Sequence, residues 1–486
     1  MSSKNVELVG PYRYVVANAN QKPGVRAIVN GAQSLTFAQL AELSAQIGSE
    51  MRRRGLHRGQ VAIVATGKPF YDYVFSLAVM HEGAIVAPQI GPKYVEALSA
   101  DLAFSASSIT GFPADKTILI DGRFMQSAQK GPTYAPNDYE TENPVVRLFQ
   151  TSGTTGEPKV LEYDFNSVAE LAEACDFLTP GKTLSTFPMT IYSGAYRVFY
   201  GIKNGVTYYQ STKNIRADKQ MMVAQNIESL ITSPWMLLRM LEDKVLPDAM
   251  GNLLSVANVG AAMPKSLSEM LMKQSKAKLY NRYGTSECGA SVFNEVEIDG
   301  DPSLVGKPFD YASVRVVDED FRDLAPGEIG KIAVRTKFMR ASYRNNPAAS
   351  AKHFRDGFFM SGDEGYLSES GDLFLVGRSD ERINSGGVKV DPALMDAEIW
   401  QIDGVSDAAV FGFDYDSGLR GYAAVIVLES SKTLDSVIDQ VKRKLGVSAP
   451  QAFIEVSEVP KNQMGKVQRI DLENQYSESA RELTRP

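Results

Sequence analysis

Thr151-Ser152-Gly153-Thr154-Thr155-Gly156-Glu157-Pro158-Lys159 packs four hydroxyls, two glycines and a lysine into nine residues. It follows Val145-Val146-Arg147-Leu148-Phe149-Gln150, which reads as a buried strand. A strand running into such a loop suits phosphate oxygens. Glycines let backbone N–H groups approach, hydroxyls add donors, and the lysine adds positive charge. The spacing is not that of the G-x-x-x-x-G-K-[ST] phosphate loop, because Pro158 separates the second glycine from the lysine. Taken alone, the stretch reads equally well as a flexible polar hairpin, so the rest of the chain has to decide.

A chain of 486 residues is too long for one small core and suggests about three domains. Hydrophobic residues make up 44% and charged residues 22%, as in an ordinary globular enzyme. The net charge of −7 argues against a nucleic-acid surface or a polybasic membrane patch. Two cysteines, Cys175 and Cys288, cannot build a disulfide framework or a zinc site, and they fit a reducing compartment. The first residues lack the apolar core of a signal peptide, and no apolar run is long enough to span a membrane. The expectation is a cytoplasmic protein.

Strands and helices alternate through the first part of the chain. Residues 35–55 and 70–82 carry helical spacing, and residues 60–65, 84–87 and 117–120 read as strands. This order predicts an α/β architecture with parallel strands. Residues 122–144 read as a polar loop, and helical spacing returns over 166–177 and 219–230. From about residue 305 short β-rich pieces dominate. The last hundred residues, with helices expected at 392–400 and 434–445 and strands at 408–413 and 421–428, can bury a small α+β core of their own. We place the boundary at Asp380: a large domain over 1–379 and a small one over 380–486.

Five polar turns share one character. Thr151–Lys159, Gly284-Thr285-Ser286-Glu287, Ser361-Gly362-Asp363, Gly377-Arg378-Ser379-Asp380 and Pro460-Lys461-Asn462-Gln463-Met464-Gly465-Lys466 each set polar groups beside glycine. Their order and spacing resemble the adenylate-forming superfamily of acyl-CoA synthetases, adenylation domains and luciferases, over nearly the whole chain. The resemblance implies a large N-terminal α/β domain with subsheets and a small mobile C-terminal α+β domain. It also implies a reaction: a carboxylate and ATP give an acyl-adenylate and pyrophosphate, and the acyl group then passes to a nucleophile. One anion must approach another, so the site needs cations, donors and a metal.

On that resemblance, Thr151, Ser152, Gly153, Thr154, Thr155, Gly156 and Lys159 would hold the β- and γ-phosphates, and Glu287 would hold Mg²⁺, a hard cation suited to oxygen ligands. Tyr283 would stack on the adenine, with Gly260, Ala261 and Ala262 along its edge and Gly284, Thr285 and Ser286 beside it. Asp363 and Arg378 would hold the ribose. Lys466, on a mobile loop, would bridge the carboxylate and the α-phosphate as a compact charge on a long arm. Asp380 would be the hinge, and Gly386 and Gly387 would help form the acceptor channel.

Two departures stand out. Ser286 replaces the usual threonine, and residues 187–194 lack the histidine that many acyl-CoA ligases carry there. The three histidines, His57, His81 and His353, read as surface or packing residues. The expected acyl pocket draws on Tyr192, Trp235 and Gly289 and on neighbouring small or apolar residues, with no buried cation and no acid to meet an α-amine. The acid is therefore expected to be a non-amino acid: aromatic, alicyclic or of medium chain. CoA is the expected acceptor. A carrier-protein thiol or an amine, as in stand-alone amide ligases, are alternatives, and a non-catalytic nucleotide-binding protein is a third reading.

Overall fold

The computed structural model describes residues 8–88, 94–151, 159–242, 248–261, 263–297, 300–301, 303–378, 383–385, 388–390, 392–415, 419–430, 432–462 and 465–485. Among the expected site residues, Ser152, Gly153, Thr154, Thr155, Gly156, Ala262, Asp380, Gly386 and Gly387 lie outside that set.

The first sheet runs Thr117–Leu119, Leu102–Ser105, Val61–Ala65, Ile85–Pro88, Val145–Thr151, Lys159–Asp164. Its neighbours are parallel except the last pair, where Thr151 sits opposite Lys159. Val61–Ala65 is buried along its whole length, as a parallel strand covered on both faces should be. The covering helices are Phe37–Arg53 and Pro69–His81. Thr36 starts the first with a capping box, its hydroxyl accepting from the Gln39 N–H while the Gln39 side chain accepts from the Thr36 N–H.

A longer sheet changes character half-way. Arg26–Asn30, Tyr208–Gln210, Thr183–Ser185, Ser229–Thr232, Ser255–Val259 and Lys278–Thr285 pair in parallel. Beyond them, Gly289–Glu295, Leu304–Pro308, Leu373–Arg378, Phe358–Leu367, Gly330–Thr336 and Ala312–Val317 continue antiparallel. The main apolar core lies between these layers and includes Phe149, Tyr163, Phe165, Tyr192 and Phe199. Fully burying one such ring contributes about 1.5–3 kcal/mol.

A smaller C-terminal domain has its own sheet, Val405–Asp414, Arg420–Leu428 and Ala452–Glu455, flanked by helices Pro392–Trp400, Leu434–Leu445 and Arg469–Leu483. Val410, Ile426 and Val437 fill one face of it, and Phe411, Val425 and Leu472 the other. The chain is thus mixed α/β, with a large N-terminal domain and a small C-terminal one.

Two local expectations fail. The polar stretch after Asp121 is not all loop: Gly122–Lys130 is a helix, capped by the Asp121 carboxylate at the Phe124 N–H and anchored by buried Phe124 and Ala128. The helix expected to reach residue 230 ends at Gln225, where Asn226 turns left-handed (φ +51°), and Ser229–Thr232 is a fully buried strand.

Candidate active site

Parallel strands deliver their carboxyl ends to one edge, which is where open α/β sheets bind ligands. Thr151 ends a strand of the first sheet, while in the longer sheet Gly260 follows one parallel strand and Tyr283, Gly284 and Thr285 end its neighbour. Gly260 is left-handed (φ +99°), so the chain turns sharply there. Gly284 permits a close approach: a Cβ would lie 2.2 Å from the Gly289 carbonyl oxygen. The Asn258 side chain donates to the Ala261 carbonyl (2.8 Å) and so ties the Gly260 turn down.

Two polar corners form along this edge. In the first, Tyr283 Oη donates to Asp363 Oδ2 at 2.5 Å. Asp363 and Arg378 face each other across an antiparallel pair, with Nε 4.0 Å from Oδ1. Burial raises the Asp363 pKa, and Arg378, Tyr283 and Lys466 oppose that rise.

In the second corner Glu287 is buried, and Tyr343 Oη donates to its Oε1 at 2.7 Å. Burial raises its pKa above the usual carboxylate range, against the pull of Tyr343, Thr285 and Lys159. Thr285 Oγ1 accepts from the Cys288 N–H (3.2 Å), and the Ser286 carbonyl accepts from Tyr163 Oη. Lys159 Nζ lies 5.5 Å from the Tyr343 ring centroid and 2.9 Å from His353 Nε2. The ammonium can only donate, so this His353 nitrogen accepts.

His353 packs against Tyr343 and Phe359, and beyond the expectation from sequence it also contacts the lysine of the opening motif. His81 is buried against Glu82, as a packing residue would be. Nothing in the sequence marked His353 or Tyr343, because neither lies in a glycine-flanked turn. Their place follows from the pairing of Phe354–Arg355 with Phe358–Leu367.

The residues present suit a magnesium nucleotide. Thr151 Oγ1, both polar atoms of the Gln150 side chain and Asn258 Oδ1 are buried without a hydrogen-bond partner, as groups awaiting a polar ligand would be. No cluster of three His, Cys, Asp or Glu gathers among the described residues, so a cation at Glu287 would draw its other oxygens from phosphate and water.

Lys466 sits exposed in a tight loop. Its N–H donates to Asn462 Oδ1 (3.1 Å), its carbonyl accepts from the Asn462 N–H (2.9 Å), and Lys461 bridges to Val467.

The acyl-pocket residues divide. Tyr192 and Gly289 come together: Gly289 is left-handed (φ +73°), and a Cβ on it would lie 3.2 Å from Tyr192 Oη. Trp235 is turned elsewhere, toward the C-terminal domain, where it stacks on Trp400. A buried cation lies beside this region. Arg282, 8% exposed, lies with its guanidinium 4.8 Å from the Tyr196 ring centroid and makes no ion pair with a carboxylate among the described residues. Tyr192 Oη and Tyr196 Oη are buried without a partner. Arg197 is paired with Asp176 at 2.7 Å. Sequence reading took this region for apolar because it counted residue types along segments and missed Arg282, whose strand turns it toward the Tyr196 helix.

No helix among the described residues is long and apolar enough to cross a membrane. The chain is 24% identical to 3-hydroxybenzoate–CoA ligase of Aromatoleum sp. (strain CIB) over 490 residues, 92% of each protein. It is 25% identical to 2-succinylbenzoate–CoA ligase of Bacillus licheniformis over 482 residues, 93% of this chain and 98% of that one. Its fold matches the crystal structure of ATP-bound MatB from Rhodopseudomonas palustris with a TM-score of 0.81 at 23% identity, over 96% of this chain and 99% of that one. The family model of AMP-binding enzymes matches residues 15–344, more than half of the chain. The chain belongs to the AMP-binding enzyme family.

Proposed function

We propose that this enzyme joins a non-amino carboxylic acid to ATP and then passes the acyl group to CoA. A carboxylate oxygen attacks the α-phosphorus, the bond to the β-phosphate oxygen breaks, and pyrophosphate leaves. The CoA thiolate then attacks the acyl carbon and AMP leaves. The observation that carries the reading is the corner in which Tyr283 Oη donates to Asp363 and Arg378 faces Asp363 across the strand pair.

Asp363 and Arg378 hold the ribose, with Tyr283 and the 260–262 turn at the base. Thr151, residues 152–156 and Lys159 hold the β- and γ-phosphates. Glu287 holds Mg²⁺, which, when bound, screens the phosphate charge. Lys466 bridges the approaching carboxylate and the α-phosphate, where charge develops in the transition state. The small domain, 380–486, then turns about Asp380 and withdraws Lys466, and Gly386 and Gly387 border the channel for the incoming thiol.

The names of the 3-hydroxybenzoate and 2-succinylbenzoate ligases point to ring acids, and the buried guanidinium of Arg282 beside Tyr196 favours an acid that carries a further oxygen group. ATP–pyrophosphate exchange over a panel of plain aromatic, hydroxylated and dicarboxylic acids tests both points. Exchange with none of them, while nucleotide still binds, would leave a binding protein instead of an enzyme. One incubation with ATP, the best acid, CoA and an amino-acid mixture, read by mass spectrometry, tests the acceptor. A thioester supports CoA, and an amide formed without CoA replaces it with an amine.

A further inference from the structure

The chain has two tryptophans, and they meet across the domain boundary. Trp235, in helix Pro234–Glu242 of the large domain, stacks on Trp400, the last residue of helix Pro392–Trp400 of the small one, with centroids 6.1 Å apart and planes 22° from parallel. Lys461 Nζ lies 3.4 Å from the Trp235 centroid and 5.1 Å from that of Trp400.

This lysine is held in place. Nζ donates to Asp407 Oδ2 at 2.5 Å, with side chains only 9% and 6% exposed, and Trp400 Nε1 donates to the other oxygen of Asp407 at 2.9 Å. The cation, its carboxylate and Trp400 all belong to the small domain. Facing them from the large domain are the ring of Trp235 and, on the same helix, the charged groups of Arg239 and Glu242.

The same ring seats the loop that carries Lys466. Gly465 is left-handed (φ +76°), and a Cβ there would lie 3.2 Å from Ser233 Oγ and 3.3 Å from Trp235 Cβ. The loop thus lies flush on residues 233–235, one residue before Lys466. A ring stack and a desolvated cation–π contact bias the closed arrangement, and both are lost once the small domain rotates away. Remaking them requires no change in the covalent chain or in the internal packing of either domain.

We propose that Trp235, Trp400 and Lys461 form a latch that holds the small domain in the adenylate-forming arrangement, so that Trp235 is a positioning residue for Lys466 and not a wall of the acyl pocket. The inference rests on the assignment of Lys466 to adenylation. A latch acts only on the first half-reaction: weakening it lowers the fraction of enzyme with Lys466 in place and leaves acid binding alone.

The test uses the full-length enzyme with Trp235→Leu, Trp235→Phe and Trp400→Phe. Expected for Trp235→Leu is a fall of about tenfold in kcat of ATP–pyrophosphate exchange, the scale of a desolvated cation–π contact, with KM for the acid unchanged. Thioester formation from supplied acyl-adenylate and CoA should hold its rate or rise. Trp235→Phe, which keeps an aromatic face, should recover most of the loss. Trp400→Phe alters the stack from the small-domain side and must show the same kcat signature in weaker form, which keeps the test open if Trp235→Leu does not fold. A rise in KM for the acid at constant kcat would return Trp235 to the pocket and overturn the latch, and so would equal loss of both half-reactions. Lys466→Ala separates the two layers: full exchange in that variant removes the assignment of Lys466 itself, whatever the tryptophan variants do.

Discussion

The nucleotide corners and the Lys466 loop are built by opposite means. Tyr283, Asp363 and Arg378 stand on strands of one sheet, Glu287 lies in the turn just after the Tyr283 strand, and the two carboxyl groups carry the cost of burial as raised pKa values. Lys466 is exposed, on a loop of another domain, and is held in place by rings and a cation at the surface of contact. The first region is preorganised, which suits the binding of a polyanion. The second can leave, which suits a site that must serve two reactions in turn. The comparison teaches that rigidity is placed where charge must be met, and a weak contact where a catalytic group must come and go.

The largest expected effect breaks the mobile side alone. Asp380→Pro restricts the backbone at the proposed hinge. Pyrophosphate exchange should survive while thioester formation is lost; equal loss of both would place the hinge elsewhere. Lys466→Ala should cut exchange by about 10²-fold or more, the scale of one lost transition-state contact, with an unchanged thermal midpoint. If the two regions were equally structural, that midpoint would drop as well.

Changes on the rigid side should be smaller and should carry a stability signature. Glu287→Gln should raise the Mg²⁺ concentration needed for half-maximal exchange by about tenfold, as expected for loss of a charged ligand. The sign of its effect on stability follows from linkage. A carboxyl whose pKa is raised on folding holds its proton more tightly in the folded state, so the ligand-free enzyme loses stability as pH climbs from the ordinary carboxylate value to the raised one. Removing that charge should therefore raise the ligand-free midpoint at neutral pH by about 1–2 °C, measured by differential scanning fluorimetry, while abolishing the further rise on adding Mg²⁺ and ATP. The same raised values of Glu287 and Asp363 predict an acid limb in kcat/KM for ATP that lies above the usual carboxylate range. Glu287→Gln should shift that limb downward.

The smallest effect concerns His353. Its Nε2 accepts from Lys159 and so aims the ammonium. His353→Ala should raise KM for ATP about threefold to tenfold, as one hydrogen bond to a charged group allows, with KM for the acid unchanged. An unchanged KM for ATP would return His353 to packing.

Much of this architecture was legible in advance. Helix Phe37–Arg53 announces itself through the helical spacing of Leu40, Leu43, Ile47 and Met51, and strand Val61–Ala65 through its unbroken apolar run. Helix Gly122–Lys130 was missed because two buried residues, Phe124 and Ala128, are too few to show a period among polar neighbours, although Asp121 was a cap in plain view. The order of glycine-flanked turns was enough to name the family. Arg282 was overlooked because it sits next to Tyr283 in the most recognisable of those turns, and its own side chain points to the opposite face of the strand.

By itself, then, the sequence determined which segments pair and coil and which glycine-flanked turns set polar groups in the order of this family. These are properties of a few neighbouring residues, governed by backbone sterics, periodicity and capping. Only the tertiary structure decided that Trp235 stacks on Trp400 of the small domain, that His353 contacts Lys159, and that Arg282 makes no ion pair with an acid among the described residues. Each depends on which surfaces dock across long stretches of chain, and the contacts involved, ring faces and desolvated charges, leave no local pattern to read.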